Sequence, residues 1–363
     1  MRGSMTDRTS TRARGVRVVA VDPHAPDAAV VAEAAAILRA GGLVAFPTET
    51  VYGLGARALD VRAIARVFAA KGRPANHPLI AHVEGETGAR RVAATWSDRA
   101  SRLAKAFWPG PLTLVVPRAA HVPAELAGGG DSIAVRAPAN AIACALIAAL
   151  GEAIAAPSAN RYQEVSPTTA AHVVKSLGDA VDLVLDGGAC ERGIESTVVD
   201  VRGDVAIVLR PGPIGLEALR AVEPSVVLGT TVASSDGARP SPGMDARHYA
   251  PRARLIVAGT WADAQQSACG LAAAGARVGL VLHSERIPDL TRELAKNGKV
   301  LVRNLPRDAA GYARGFYAAL HDMDDAGVDA IVIEEVPQDD AWWAVSDRIG
   351  RGAKGAKGAK GGT

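Results

Sequence analysis

Aromatic side chains are scarce in this sequence, 4% of 363 residues, so any core has to be built from Ala, Val, Leu and Ile. Cysteine is scarcer still: Cys144, Cys190 and Cys269 stand far apart, show no C-x-x-C spacing and are odd in number. That pattern speaks against a disulfide framework or a clustered thiolate metal site, and is expected of reduced, buried thiols. No apolar run approaches the roughly 20 residues that span a bilayer, and the N-terminus has no signal-peptide apolar region. A soluble, cytoplasmic protein is expected. Net charge is only +3, too small for the electrostatic footprint of a nucleic-acid-binding protein. There is no G-x-x-x-x-G-K-[ST] phosphate loop, no H-E-x-x-H, no G-x-S-x-G elbow and no residue that stands out as a nucleophile. These absences point to chemistry run by positioning and electrostatics.

What is present is concentrated between Leu43 and Val83. The apolar run Leu43-Val44-Ala45-Phe46 reads as a buried strand stopped by Pro47, which cannot donate to a sheet ladder. The loop Thr48-Glu49-Thr50-Val51-Tyr52-Gly53-Leu54-Gly55 follows, with hydroxyls, a phenol and glycines that permit close approach to a ligand. Asp60 then caps a helix with Ile64, Val67 and Phe68 on one face, and Gly72 stands where a left-handed stop belongs. At that stop sits Lys71-Gly72-Arg73-Pro74, two cations able to converge on one anion, triphosphate being the obvious candidate. Taken alone, such a pair is more often a dipole complement at a helix end, and losing either charge is then expected to cost about 0.3 to 1 kcal/mol. His77-Pro78-Leu79-Ile80-Ala81-His82-Val83 reads as a strand with His82 near its end.

Farther on, Ser132 to Arg136 is a strand ending in a cation, either a second anion clamp or an exposed strand-end arginine. Ala153 to Ala156 is a buried strand before Pro157-Ser158-Ala159-Asn160, where Ser and Asn can simply satisfy turn backbone. Ser166-Pro167-Thr168 follows, Thr168 being placed to cap the next helix. Gly193-Ile194-Glu195-Ser196-Thr197-Val198-Val199-Asp200 and Arg210-Pro211-Gly212 complete the polar constellations, with Val205 to Leu209 read as a hairpin strand.

In order and spacing these motifs resemble those of the threonylcarbamoyl-AMP synthases, the YrdC/Sua5 family, from roughly Asp27 to Ile214. Ser241-Pro242-Gly243-Met244 with His248-Tyr249-Ala250-Pro251 is similar to the linker of the long, two-domain Sua5 subgroup. The resemblance implies an α/β fold: a YrdC-like twisted mixed sheet whose helices form a concave active site, plus a smaller Rossmann-like parallel α/β C-terminal domain. Strand and helix runs alternate beyond Arg252, without a G-x-G-x-x-G. The expected divisions are a disordered leader at 1–15, a catalytic domain at 16–222, a linker folding over the active site at 223–252, the second domain at 253–350 and a disordered tail at 351–363.

The implied reaction condenses L-threonine, bicarbonate and ATP to threonylcarbamoyl-AMP and pyrophosphate, for N6-threonylcarbamoyladenosine in tRNA. The resemblance assigns Lys71, Arg73 and Arg210 to phosphate charge, Lys71 and Arg73 being the catalytic pair. Ser158, Asn160, Ser166, His248 and Tyr249 would hold nucleotide, and Thr48, Tyr52, His82, Arg136 and Ser196 threonine and its carbamate. Mg²⁺ would ride on the ATP phosphates, since no Asp/Glu cage is evident. Downstream partners would be the tRNA-modifying transfer machinery, with direct tRNA binding not required and no membrane involved. Asn140-Ala141 departs from a frequent His-Pro pair, and Arg161-Tyr162 from Ser-Gly. The alternatives are a carbamoyl-adenylate-forming carbamoyltransferase and a nonenzymatic RNA-binding module.

Overall fold

The structure, a computed structural model, describes residues 10–13, 15–229, 250–283 and 298–354. Two sheets organise them. The first contains β1 (Ser10–Ala13), β2 (Val16–Ala20), β3 (Val44–Phe46), β4 (Gly53–Arg57), β5 (Ile80–His82), β6 (Leu112–Pro117), β7 (Ser132–Arg136), β8 (Ile154–Ala155), β9 (Leu183–Asp186), β10 (Thr197–Asp200), β11 (Ile207–Arg210) and β12 (Val227–Leu228). Their order, β1-β2-β9-β3-β4-β8-β5-β7-β6-β10-β11-β12, mixes parallel and antiparallel neighbours. The second sheet holds β13 (Arg254–Ala258), β14 (Val278–Leu282), β15 (Val300–Asn304) and β16 (Ala330–Glu334) in the order β13-β16-β14-β15, every pair parallel. The fold is the expected pair of a twisted mixed sheet and a smaller parallel α/β domain.

Register decides which side chains meet. β5 and β7 run parallel with His82 opposite Arg136, so the two strand-ending side chains share one edge of the sheet. β10 and β11 pair antiparallel with a bulge at Val198/Val199, which sets Arg210 opposite Val198, two residues from Ser196. Gly212 follows Arg210 where only a glycine fits, because a Cβ there would lie 2.1 Å from the Thr197 amide nitrogen. The helix Val61–Lys71 is capped by the Asp60 carboxylate and ends on Gly72 at φ 60°. That left-handed residue turns the chain so that the Arg73 amide donates back to the Phe68 carbonyl at 3.1 Å.

Apolar clusters lie on both faces of the large sheet, one built around Leu54, Ile64, Leu103 and Leu114, the other around Leu38, Phe46, Leu146 and Leu185. A further cluster crosses between the domains: Val51, Val165 and Ile194 pack with Tyr312, Phe316, Tyr317 and Leu320 of the helix Ala309–Asp325. The aromatic stripe of that helix is therefore core, and part of it faces the first domain.

Several boundaries differ from expectation. Ser10–Ala13 lies inside the segment expected to be a disordered leader, yet it pairs antiparallel with Val16–Val19 as a hairpin arm. Val227 and Leu228 fall within the expected linker but add to β11 as an edge strand, anchored by buried Val226. The last helix runs from Trp343 to Lys354, and Asp339 turns the chain before it by accepting from the Ala341 amide at 3.0 Å. Thr169, not Thr168, caps the helix Ala170–Leu177 through the His172 amide. Glu86–Val92 is a helix that glycines on either side of Glu86 hid from the periodicity. Among the described residues no helix is long and apolar enough to cross a membrane.

Candidate active site

Eight of the residues singled out from the sequence line one cleft: Thr48, Tyr52, Arg73, His82, Arg136, Ser158, Ser196 and Arg210. About 500 Å³ of space lies within it, open solvent at its mouth included. Among the described residues, three arginines and a single carboxylate, Glu195, are its charged lining.

On one wall the Thr48 loop is held by its own hydroxyls. Thr48 Oγ accepts from the Thr50 and Val51 amides at 3.1 and 3.2 Å and donates to the Val51 carbonyl at 2.7 Å. With its proton committed there, Thr48 Oγ takes the Thr50 hydroxyl proton at 2.8 Å, and Thr50 Oγ accepts from Arg136 Nη1 at 2.8 Å. Arg136 Nη2 lies 2.6 Å from Glu49 Oε1, both side chains only 4% exposed. With Nε donating to the Gly110 carbonyl at 3.3 Å, Arg136 is a buried cation held at three points rather than an exposed strand end. Glu49 and Thr50 went unassigned in the sequence although they sit inside the quoted loop, because the partner that explains them is more than 80 residues away.

His82 sits beside Arg136. Burial, and then the neighbouring Arg136 charge, push its pKa down to about 3, so the ring is neutral at pH 7. Its Nδ1 lies 3.3 Å from the Ile80 carbonyl. Tyr52 donates to the Gly188 carbonyl at 2.7 Å, and burial raises its phenol out of the titrating range, so it too is neutral.

The opposite wall is the Glu195–Ser196 turn. Arg210 donates through Nε and Nη2 to the Ser196 carbonyl at 3.1 and 2.9 Å and through Nη2 to Ser196 Oγ at 3.1 Å. Thr113 Oγ, 2.7 Å from Ser196 Oγ, completes that support and had no signal in the sequence. Glu195 is buried; burial alone disfavours its charge, but Arg348, then Arg210 and the Ser166 hydrogen bond outweigh it and hold its pKa below the ordinary value.

Lys71, Asn160 and Ser166 stand behind the wall, not on it. Lys71 Nζ donates to the Ser158 and Asn160 carbonyls at 2.6 and 2.5 Å, and burial, with Arg73 next, pushes its pKa well below the usual lysine value. Asn160 donates to the Arg161 and Glu164 carbonyls, while its Oδ1 is buried and accepts no hydrogen bond from the described residues. Ser166 Oγ donates to Glu195 Oε1 at 2.5 Å. His248 and Tyr249 lie outside the described residues. Among the described residues no group of three or more His, Cys, Asp or Glu could hold a metal ion.

Buried neutral histidines make stability pH-dependent. Besides His82, burial lowers His321 to about 3 and His172 to about 4, the two rings stacking at 3.8 Å between the domains. Their folded values lie below the ordinary value near 6.5, so between pH 6.5 and 3 the unfolded chain binds more protons and stability falls as pH drops. At pH 5 His82 and His321 are each expected to cost about 2 kcal/mol relative to pH 7. Thermal melts at pH 7 and pH 5 check this, and His321→Gln should lose less over that interval than wild type. Equal losses would refute the contribution of His321.

Comparison with known proteins agrees with this architecture. A family model described as telomere recombination, covering Sua5, yciO and yrdC, matches residues 36–212. One described as the C-terminal domain of threonylcarbamoyl-AMP synthase matches residues 214–354. The threonylcarbamoyl-AMP synthase of Pyrococcus abyssi is 39% identical over 327 residues, 88% of this chain and 93% of the relative. That of Bacillus subtilis is 35% identical over 325 residues, 89% and 92% of the two chains. The crystal structure of P. abyssi Sua5 complexed with L-threonine matches with a TM-score of 0.85 at 37% identity, over 94% of this chain and 98% of that one. With both domains accounted for over most of their length, this chain belongs to the Sua5/YrdC family of the two-domain Sua5 type.

Proposed function

We infer that this chain is a threonylcarbamoyl-AMP synthase, a nucleotidyltransferase that supplies the tRNA threonylcarbamoyl modification from the cytoplasm. The observation that carries the reading is the convergence of Arg73, Arg136 and Arg210 on one cleft whose remaining lining, among the described residues, is neutral apart from Glu195. Such a cleft suits substrates that are all anions or zwitterions: threonine, bicarbonate and ATP.

In the reaction the threonine nitrogen bonds to the bicarbonate carbon with loss of water, giving a carbamate. A carbamate oxygen then bonds to the α-phosphorus of ATP, the bond to the bridging oxygen breaks and pyrophosphate leaves. Arg136, fixed by Glu49 and Thr50, and neutral His82 face the threonine carboxylate and carbamate, with Thr48, Tyr52 and Ser196 shaping that end. Arg73 and Arg210 meet the phosphates. Lys71 holds the Ser158–Asn160 turn against the nucleotide, and the buried Asn160 Oδ1 suits a nucleotide donor. Ser166 belongs to the same nucleotide wall through Glu195, and His248 and Tyr249 would close over it. Glu195 is engaged by Arg348, so no residue is assigned to Mg²⁺, which enters as part of the substrate MgATP. The product is a labile mixed anhydride that a downstream transfer enzyme must take up, and this chain need not bind tRNA itself.

The test is pyrophosphate release from MgATP and bicarbonate with and without L-threonine. Threonine-dependent release is expected. Release without threonine would favour carbamoyl chemistry, and no release together with salt-sensitive RNA binding would favour a binding module.

A further inference from the structure

We propose that the second domain is an electrostatic part of the first domain's site: Arg348, with Tyr317, is a positioning residue that engages the Glu195 carboxylate and so sets how tightly the cleft takes a polyphosphate. The inference rests on the synthase reading only for the identity of that anion.

Among the described residues Glu195 is the one carboxylate lining a cleft that also presents Arg73, Arg136 and Arg210. Its oxygens are divided between the domains. Oε1 accepts from Ser166 Oγ at 2.5 Å, while Oε2 accepts from Tyr317 OH at 3.0 Å and from Arg348 Nε at 2.8 Å. Tyr317 lies on Ala309–Asp325 and Arg348 on Trp343–Lys354, both helices of the second domain. The Arg348 side chain is 0% exposed and also pairs with Asp347 at 2.6 Å.

Stability alone is a weak reason for such an arrangement, because a buried ion pair is often no more stabilising than apolar residues of the same volume. Position gives a stronger one. The same helices hold the flanks of the Glu195 and Arg210 turns: Trp343 Nε1 donates to the Gly212 carbonyl at 2.7 Å and Arg314 Nε to the Glu191 carbonyl at 2.9 Å. A Cβ on Gly193 would lie 2.6 Å from the Ala313 carbonyl oxygen, so that turn seats directly on the helix. Take Arg348 away and the Glu195 charge, in a low-dielectric setting, is answered by Arg210 and opposes an incoming anion. With Arg348 docked, that charge is held on the far side of the carboxylate.

The experiment is calorimetric titration of the full chain with magnesium-free pyrophosphate in a double-mutant cycle. Arg348→Met is expected to weaken binding by about tenfold or more, as for truncation of one partner of a buried charge pair. Adding Glu195→Gln should bring the affinity back to within about threefold of Glu195→Gln alone, the scatter of near-additive sites, and Arg348→Lys should recover part of it. A merely structural Arg348 predicts a lower melting temperature in Arg348→Met with wild-type affinity per folded chain, since Glu195→Gln would relieve a stranded charge in either case; that result, or a failure of Glu195→Gln to restore affinity, overturns the proposal. If Arg348→Met does not fold, Tyr317→Phe removes the hydrogen bond to Glu195 and no charge; it should weaken binding about fivefold in wild type and not at all beside Glu195→Gln, one such bond being about 1 kcal/mol. Wild-type affinity in Tyr317→Phe would then refute it. Wild-type chain that shows the cycle yet releases no pyrophosphate from ATP sinks the synthase reading alone, whereas threonine-dependent release with no cycle sinks this inference alone.

Discussion

Arg73→Ala is expected to lower threonine-dependent pyrophosphate release by about 10² to 10³-fold, the usual loss when a preorganised electrostatic group is removed from a reacting phosphate. Arg73 lines the cleft, and Nη2 donates to the Pro78 carbonyl at 3.0 Å, which aims the guanidinium from the Gly72 turn. Its loss strips the buried Pro78 carbonyl of that donor and should cost folding about 1 to 3 kcal/mol. Lys71 behaves differently from the helix-end charge the sequence suggests. It is 2% exposed and ties the Ser158 and Asn160 carbonyls, so removing it strips a part-buried and a buried acceptor of their donor and should cost about 1 to 3 kcal/mol. The estimate of 0.3 to 1 kcal/mol therefore fails for Lys71, because the ammonium faces inward rather than complementing a dipole in water. Lys71→Met should raise the KM for ATP through the displaced turn, with a lower melting temperature. Initial rates and thermal melts on the same preparations separate the two. If Arg73→Ala loses activity only in proportion to its folded fraction, the phosphate role is wrong.

Local signals made much of this molecule legible. Asp60 to Gly72 reads as a capped helix because both of its stops are side-chain and backbone chemistry within one segment. The strand ends carrying His82 and Arg136, and the turns carrying Ser158, Ser196 and Arg210, announce themselves by polar residues following apolar runs. Partners across the chain are another matter. Glu49 looks like a solvated loop carboxylate until Arg136 arrives beside it, and Glu195 until Arg348, 153 residues later, reaches into the first domain. Nothing near Arg348 marks it, since Asp347, Arg348 and Arg351 read as an exposed helix face. The position of β9 between β2 and β3 and the edge strand β12 are equally non-local, fixed by sheet pairing after the chain has returned from a long excursion.

Arg136→Met should separate the structural and chemical uses of a buried cation. The substitution leaves Glu49 as a buried carboxylate without its partner, and breaking a pair in this way typically costs about 3 to 5 kcal/mol. The Thr50 hydroxyl also loses its donor, and with it the chain of hydrogen bonds that shapes the Thr48 turn. Neutralising both partners in Glu49→Gln/Arg136→Met removes the stranded charge, so most of the lost stability should return, because two uncharged side chains of similar volume need no ion pair. Activity should not return with it. In the proposed reaction Arg136 meets the threonine carboxylate, and removing one side of a desolvated charge contact costs about 2 kcal/mol or more, about a 30-fold rise in the KM for threonine. Urea denaturation of wild type, both single variants and the double variant gives the stability arm, and pyrophosphate release against threonine concentration gives the other. Recovery of both in the double variant would make Arg136 a purely structural residue. A double variant as unstable as Arg136→Met would show that the stranded Glu49 charge is not what destabilises it. Recovery of stability alone is the outcome the geometry requires, since the pair with Glu49 fixes the guanidinium in place and only the guanidinium can meet the substrate's carboxylate.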